Sequence, residues 1–93
     1  MDGAEIEYDE EKRRRILAER GVDMADAASV FDGAHIEIED KRTDYGETRY
    51  RVWGYLKGQR VHFVWTPRDG KRRIITMYPT HEREHQARLG TMD

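Results

Sequence analysis

The sequence contains no cysteine, which removes disulfides, thiolate metal sites and cysteine nucleophiles together and leaves packing as the source of stability. The same absence favours a reducing compartment. No run is long and apolar enough to span a bilayer, and the N-terminal MDGAEIEYDEEK has neither the basic start nor the apolar stretch of a secretory signal. A soluble, cytoplasmic protein without membrane association is therefore expected. No glycine-rich phosphate loop leads from a strand into a helix, and there is no serine nucleophile elbow, so nucleotide-binding and hydrolase readings have no residues to rest on. Metal ligands are equally scarce. Of the four histidines, only His81 and His85 stand at helical i,i+4 spacing. His81-Glu82-Arg83-Glu84-His85 meets the bare HExxH pattern, yet it lies in a polar terminal stretch of a chain too short for a zincin, so neither metal nor cofactor is expected. A length of 93 residues with 37% hydrophobic content suffices for one compact core, and a single domain over residues 1–93 is expected.

What is present is charge, and it is unevenly spread. Residues 1–40 carry 5 Lys/Arg against 13 Asp/Glu, a net of -8, whereas residues 41–93 carry 12 against 6, a net of +6. The overall net charge of -2 hides this split, which suits a polyanion-facing surface joined to an acidic one. Charge blocks that merely solvate two faces are the plainer alternative.

Periodicity divides the chain at about the same place. After the short β signal Glu5-Ile6-Glu7-Tyr8, Asp9 can cap a helix over Asp9–Arg20 that Gly21 ends, and Asp23 can cap a second short helix in which Met24, Ala27, Ala28 and Phe31 fall at helical spacing. Both helices are expected to be amphipathic. Arg13, Arg14 and Arg15 are consecutive and so point in three directions, which favours solvated positions over a nucleic-acid patch. From Gly33 the period becomes two: His35 to Glu39, Thr48 to Lys57, Arg60 to Thr66 and Lys71 to Tyr78 read as strands, with hairpin signals at Lys57-Gly58-Gln59 and Asp69-Gly70. Four strands joined in this way make an antiparallel meander. Pro79 should stop the ladder, and Thr80 can cap a last helix over His81 to Leu89. The fold class is α+β. The sheet collects Arg49, Arg51, Trp53, Tyr55, Arg60, His62, Trp65, Arg68, Lys71, Arg72, Arg73 and Tyr78, cations that neutralise phosphates and rings on which unstacked bases can lie, together with the carboxylate of Glu47. Trp53 and Trp65 are equally readable as core.

The order of residues adds what composition cannot. Ile6-Glu7-Tyr8-Asp9 with Lys12, then Leu17, Gly21-Val22 and Ala27-Ala28-Ser29-Val30-Phe31-Asp32, continue into Gly46-Glu47-Thr48-Arg49, Gly54, Arg73-Ile74-Ile75-Thr76 and finally Pro79, His81, Arg83 and Glu84. Over residues 6–85 this succession resembles the BrnT family of type II toxin–antitoxin toxins. Three positions depart from the family pattern: Ile16 replaces an Asn, Arg20 a His, and Tyr78 an Arg. The resemblance implies a RelE-like fold, with a short N-terminal strand and two helices followed by the meander and a C-terminal helix. It implies ribonuclease activity, a BrnA-like ribbon-helix-helix antitoxin as partner, contact with DNA only through that antitoxin, and a toxin dimer within the complex.

For such a toxin the expected chemistry is metal-independent cleavage of mRNA by attack of a ribose 2′-OH on the adjacent phosphate, which needs a base, an acid and cations at the developing charge. Glu47 or His81 is the expected base, and Arg49 and Arg73 the phosphate clamps, because a guanidinium fork matches two phosphate oxygens. Tyr78, Lys12 or His62 would serve as acid or positioning group. Lys12, Arg51, Trp53, Arg60, His62 and Trp65 are the expected RNA contacts. Glu47 and Arg49 also read as an ordinary surface pair across a strand. Two rivals remain at this level: a catalytically impaired homologue that binds RNA or antitoxin without cutting, and an interaction domain whose basic face meets an acidic protein.

Overall fold

The computed structural model describes residues 5–80, to which all structural statements below refer. Its elements in chain order are strand β1 (Ile6–Glu7), helix α1 (Glu10–Arg20), a 3-10 turn (Met24–Asp26), helix α2 (Ala27–Asp32), and strands β2 (Ile36–Glu39), β3 (Tyr50–Leu56), β4 (Gln59–Arg68) and β5 (Lys71–Pro79). The described strands form one sheet in the order β1-β5-β4-β3-β2. The expected meander is present: β2, β3, β4 and β5 are antiparallel neighbours. The N-terminal strand closes the far edge, running parallel to β5 with Ile6 opposite Arg72 and Glu7 opposite Arg73. No described helix is long and apolar enough to cross a membrane. The expected helix over His81 to Leu89 lies outside the described residues.

Helix α1 starts and stops where its caps dictate. The Asp9 carboxylate accepts from the Lys12 N–H at 3.1 Å, and Gly21, at φ 74°, donates back to the Leu17 carbonyl at 3.0 Å. The helix is not amphipathic as expected, for Ile16 is its only buried residue. Polar ties hold it instead: Arg13 reaches Asp23 at 2.8 Å, and the Arg20 Nη1 donates to the Met77 carbonyl at 2.9 Å and to the Thr76 hydroxyl at 3.2 Å. Beyond the two residues paired with β1, the edge of β5 is thus met by a helix rather than by a strand.

The second helical segment also differs from expectation. Its tight first turn changes the winding, so the buried positions are Met24, Ala27 and Val30 at three-residue intervals, while Ala28 is exposed and Phe31 half-buried. These side chains meet Val52, Leu56, Val61, Phe63, Trp65, Ile74 and Met77 from one face of the sheet, as the strand alternation demands. Gly54 lies in the same row, where a Cβ would stand 2.6 Å from Val30 Cγ1 and 3.1 Å from His35 Cβ. The absence of a side chain is what lets α2 come this close.

Both hairpins turn on two residues with positive φ, Lys57-Gly58 and Asp69-Gly70, matching the twist of the strands they join. Pro79 does not stop the ladder before it. It pairs with Val61 as the last residue of β5, and the Thr80 N–H donates to the Arg60 carbonyl at 3.1 Å. That bonded pair makes the adjacent Val61–Pro79 pair a non-bonded one, whose missing N–H costs the ladder nothing.

Candidate functional site

Where β3, β4 and β5 begin or end near the β4–β5 hairpin, the sheet face opposite the core carries a cleft of about 250 Å³ lined by Asp9, Lys12, Glu47, Arg49, Thr66, Arg68, Arg73, Ile74 and Ile75. Alternation places Arg73 on this face beside Thr66, its partner on β4. Between Val64 and Trp65 the register of β4 against β5 shifts by one, which leaves Ile75 as the extra residue of a bulge. The bulge delivers Ile75 to the cleft, although the Ile74 beside it packs in the core. Lys12 arrives from the first turn of α1. Four residues expected at a site, Lys12, Glu47, Arg49 and Arg73, are therefore gathered from three separate stretches of chain.

Each arginine of the cleft has a carboxylate against it. Arg49 Nε donates to Glu47 Oε2 at 2.9 Å, Arg68 Nη2 lies 3.9 Å from Glu47 Oε1, and Arg73 Nη1 donates to Glu7 Oε2 at 2.5 Å. The Glu47–Arg49 pair is thus both a surface pair and a wall of the cleft. Lys12 is half-buried here, and its ammonium is less basic than an ordinary lysine: burial disfavours the charge first, and Arg15, Arg20 and Arg49 add repulsion that Asp9 only partly offsets.

The loop that supplies Glu47 and Arg49 is tied at its base. Asp40 is buried and accepts from Arg42 Nε and Nη2, both at 2.8 Å, from the Arg42 backbone N–H at 3.2 Å and from the Tyr45 hydroxyl at 3.0 Å. The Arg42 bonds hold the Asp40 carboxyl well below the usual carboxylate range against the cost of its burial, and the same pairing raises Arg42. The Tyr45 ring in turn lies 4.1 Å from the Arg49 guanidinium carbon. Thr66, buried, donates from its hydroxyl to the Thr48 carbonyl at 2.6 Å and fixes the other end of the loop.

Other expected site residues lie elsewhere. Trp65 packs in the core, stacked on Tyr50 at 4.8 Å, with its indole N–H on Glu37 Oε2 at 2.7 Å. Trp53 and His62, cross-strand partners on the cleft's face of the sheet, are buried and stacked on each other at 4.3 Å, and a His62 ring nitrogen sits 2.9 Å from the Val52 carbonyl. Trp53, His62 and Trp65, expected RNA contacts that read equally as core, are all buried in this structure, as large apolar rings in central strands commonly are. Arg51 lies over the Trp53 ring at 4.6 Å, and Arg60 is half-buried opposite Tyr55. Tyr78 pairs with His62, four residues along β4 from the Thr66 that pairs with Arg73, roughly 13 Å at the usual strand rise, and it is not among the residues that line the cleft. It neighbours His62 edge-on at 5.0 Å, and the Arg20 guanidinium lies 5.7 Å from its ring. Arg20 and Tyr78, two of the three departures from the family pattern, are thus in contact, and the third, Ile16, is core. His81 lies outside the described residues.

Glu7 and Thr66 carried no expected role, and Arg68 was expected only as one of the cations of the sheet. Glu7 reaches Arg73 only because β1 pairs in parallel with β5, a contact 66 residues apart in sequence with no local signal. Thr66 and Arg68 belong to a strand legible as such, but their convergence with Glu47 depends on the fold of the intervening loop. A comparison with family models finds that the one described as ribonuclease toxin, BrnT, of type II toxin-antitoxin system matches residues 8–84. No curated protein matches the chain.

Proposed function

The chain belongs to the BrnT family of type II toxin–antitoxin ribonuclease toxins, and on that premise we propose that it is a cytoplasmic, metal-independent endoribonuclease that cleaves mRNA, inhibits translation and arrests growth. The observation that carries this reading is the convergence of Lys12, Glu47, Arg49 and Arg73 on one cleft. In the proposed reaction Glu47 takes the proton of a ribose 2′-OH. The 2′ oxygen forms a bond to phosphorus, the bond to the 5′ oxygen breaks, and Lys12 gives its proton to that leaving oxygen. The products are a 2′,3′-cyclic phosphate and a 5′-hydroxyl. Arg49 and Arg73 bind the non-bridging oxygens, where charge accumulates in the transition state. A lysine made less basic by its surroundings is better matched to proton donation near neutral pH.

The remaining parts of the reading follow the family. The architecture is RelE-like within a single domain over residues 1–93, with a helix following Thr80. The partner is a BrnA-like ribbon-helix-helix antitoxin through which the complex reaches DNA, with toxin dimerisation inside it. The test is cleavage of a single-stranded RNA by purified protein with a chelator present. Wild type should yield cyclic-phosphate ends, and Arg73→Ala should lower the rate by about a hundredfold or more. Loss of activity on adding the chelator, or full activity in Arg73→Ala, would overturn the scheme. The Glu7 carboxylate already seated on Arg73 favours one alternative, a homologue that binds without cutting; RNA binding with no cleaved product in the same assay identifies it.

A further inference from the structure

Arg20 differs from the arginines of the cleft. Among the described residues no carboxylate lies within ion-pair distance of it, whereas Arg49, Arg68 and Arg73 are each paired. Its Nη1 is held by the Met77 carbonyl and the Thr76 hydroxyl, which aims the guanidinium across Tyr78, an exposed ring. A guanidinium carries five N–H donors, more than these two bonds use. We propose that Arg20 and Tyr78 form an outlying subsite of the same RNA surface, which binds the phosphate and sugar or base of a nucleotide flanking the one cut in the cleft.

The proposal rests on the ribonuclease reading and specifies its substrate: a single strand longer than a dinucleotide. The two sites share both their supporting elements. Lys12 and Arg20 are eight residues apart on α1, roughly 12 Å, and Arg73 and Tyr78, with the bulge between them, are four strand rises apart, roughly 13 Å. A chain lying along the α1–β5 boundary meets the cleft first and Arg20 afterwards. Lys12 stands between the two sites, near enough to Arg15 and Arg20 on one side and to Arg49 on the other for each to make it less basic. A tyrosine beside an oriented cation offers a nucleotide a ring and a phosphate ligand together, without selecting a base by hydrogen bonds.

The experiment compares two lengths of RNA in wild type, Arg20→Gln and Tyr78→Leu. Binding is measured with a hexanucleotide carrying 2′-O-methyl groups, which cannot be cut, and turnover with a dinucleotide and an unmodified hexanucleotide. Each variant should bind the hexanucleotide about five- to tenfold more weakly than wild type, and its loss in kcat/KM on the hexanucleotide should exceed that on the dinucleotide by a similar factor, through KM. Arg20→Gln should also reduce the salt slope of hexanucleotide binding by about 0.7. Equal losses on both lengths would reduce Arg20 to a tether of α1 and overturn the proposal, as would no loss on either. Tyr78→Leu leaves the Arg20 bonds to β5 in place, so it decides the matter if Arg20→Gln loosens the helix. Wild type that binds the hexanucleotide with the stated dependence but cuts neither substrate would sink the nuclease reading while sustaining the subsite.

Discussion

Lys12 is a side chain whose charge the fold disfavours. Its folded pKa lies below the ordinary lysine value of 10.5, first because it is buried and then because Arg15, Arg20 and Arg49 surround it. Folding therefore disfavours the charged form, and the penalty is fully present at pH values below the folded pKa. It fades as pH rises towards 10.5. Lys12→Met keeps the aliphatic stem and removes the charge. Its midpoint of thermal unfolding should exceed that of wild type at pH 7, the gap should narrow by pH 10, and RNA cleavage should fall. A lower midpoint at pH 7 would show that the attraction of Asp9 outweighs burial. At this scale residue type was enough to single out Lys12, Glu47, Arg49 and Arg73, which the fold brings to one cleft. It was uninformative for Trp53 and His62, because a ring on an alternating strand reads the same whether it faces a base or a packed interior.

Among the elements, α2 and β3 depend on each other at a single point. A methyl group at Gly54 would overlap Val30 Cγ1 at 2.6 Å, and neither a helix nor a central strand can move away without disturbing its neighbours. Gly54→Ala should destabilise by about 1–3 kcal/mol, read as a lower denaturation midpoint with unchanged slope. Val30→Ala in the same background should cost less than it does alone, because it makes room for the new methyl. Additive losses would mean that the overlap is relieved elsewhere. The meander was legible because its turns carry their own chemistry, positive φ at Gly58 and Gly70. The parallel β1–β5 edge was not, since a two-residue strand has no period to detect. The shift of buried positions to Met24, Ala27 and Val30 was hidden for a similar reason: nothing in the local pattern distinguishes a 3-10 turn from the first turn of an α-helix.

For the molecule as a whole, the division into an acidic and a basic half is a statement about sequence, not about space. Asp9 and Glu7 from the acidic half stand beside Lys12 and against Arg73, so the cleft contains both signs. RNA binding should consequently depend on salt less than the +6 of residues 41–93 suggests. If Lys12, Arg49, Arg73 and Arg20 each neutralise a phosphate, the logarithm of the hexanucleotide binding constant should fall with that of salt concentration with slope about -2 to -3. Titrations at several salt concentrations measure this directly, and a slope nearer twice that size would assign binding to the diffuse basic half.

The carboxylates on Arg49, Arg68 and Arg73 give the cleft one further property. Under the proposed reaction it would work as an ion exchanger: a phosphate would enter by displacing Glu7, which is then rehydrated, or Glu47, which is then passed the 2′ proton. Selectivity between anions is then set by the difference in their hydration as much as by contact. Because Glu7 belongs to a strand of two residues, each exchange at Arg73 also removes a side-chain tie between the N-terminal strand and the sheet.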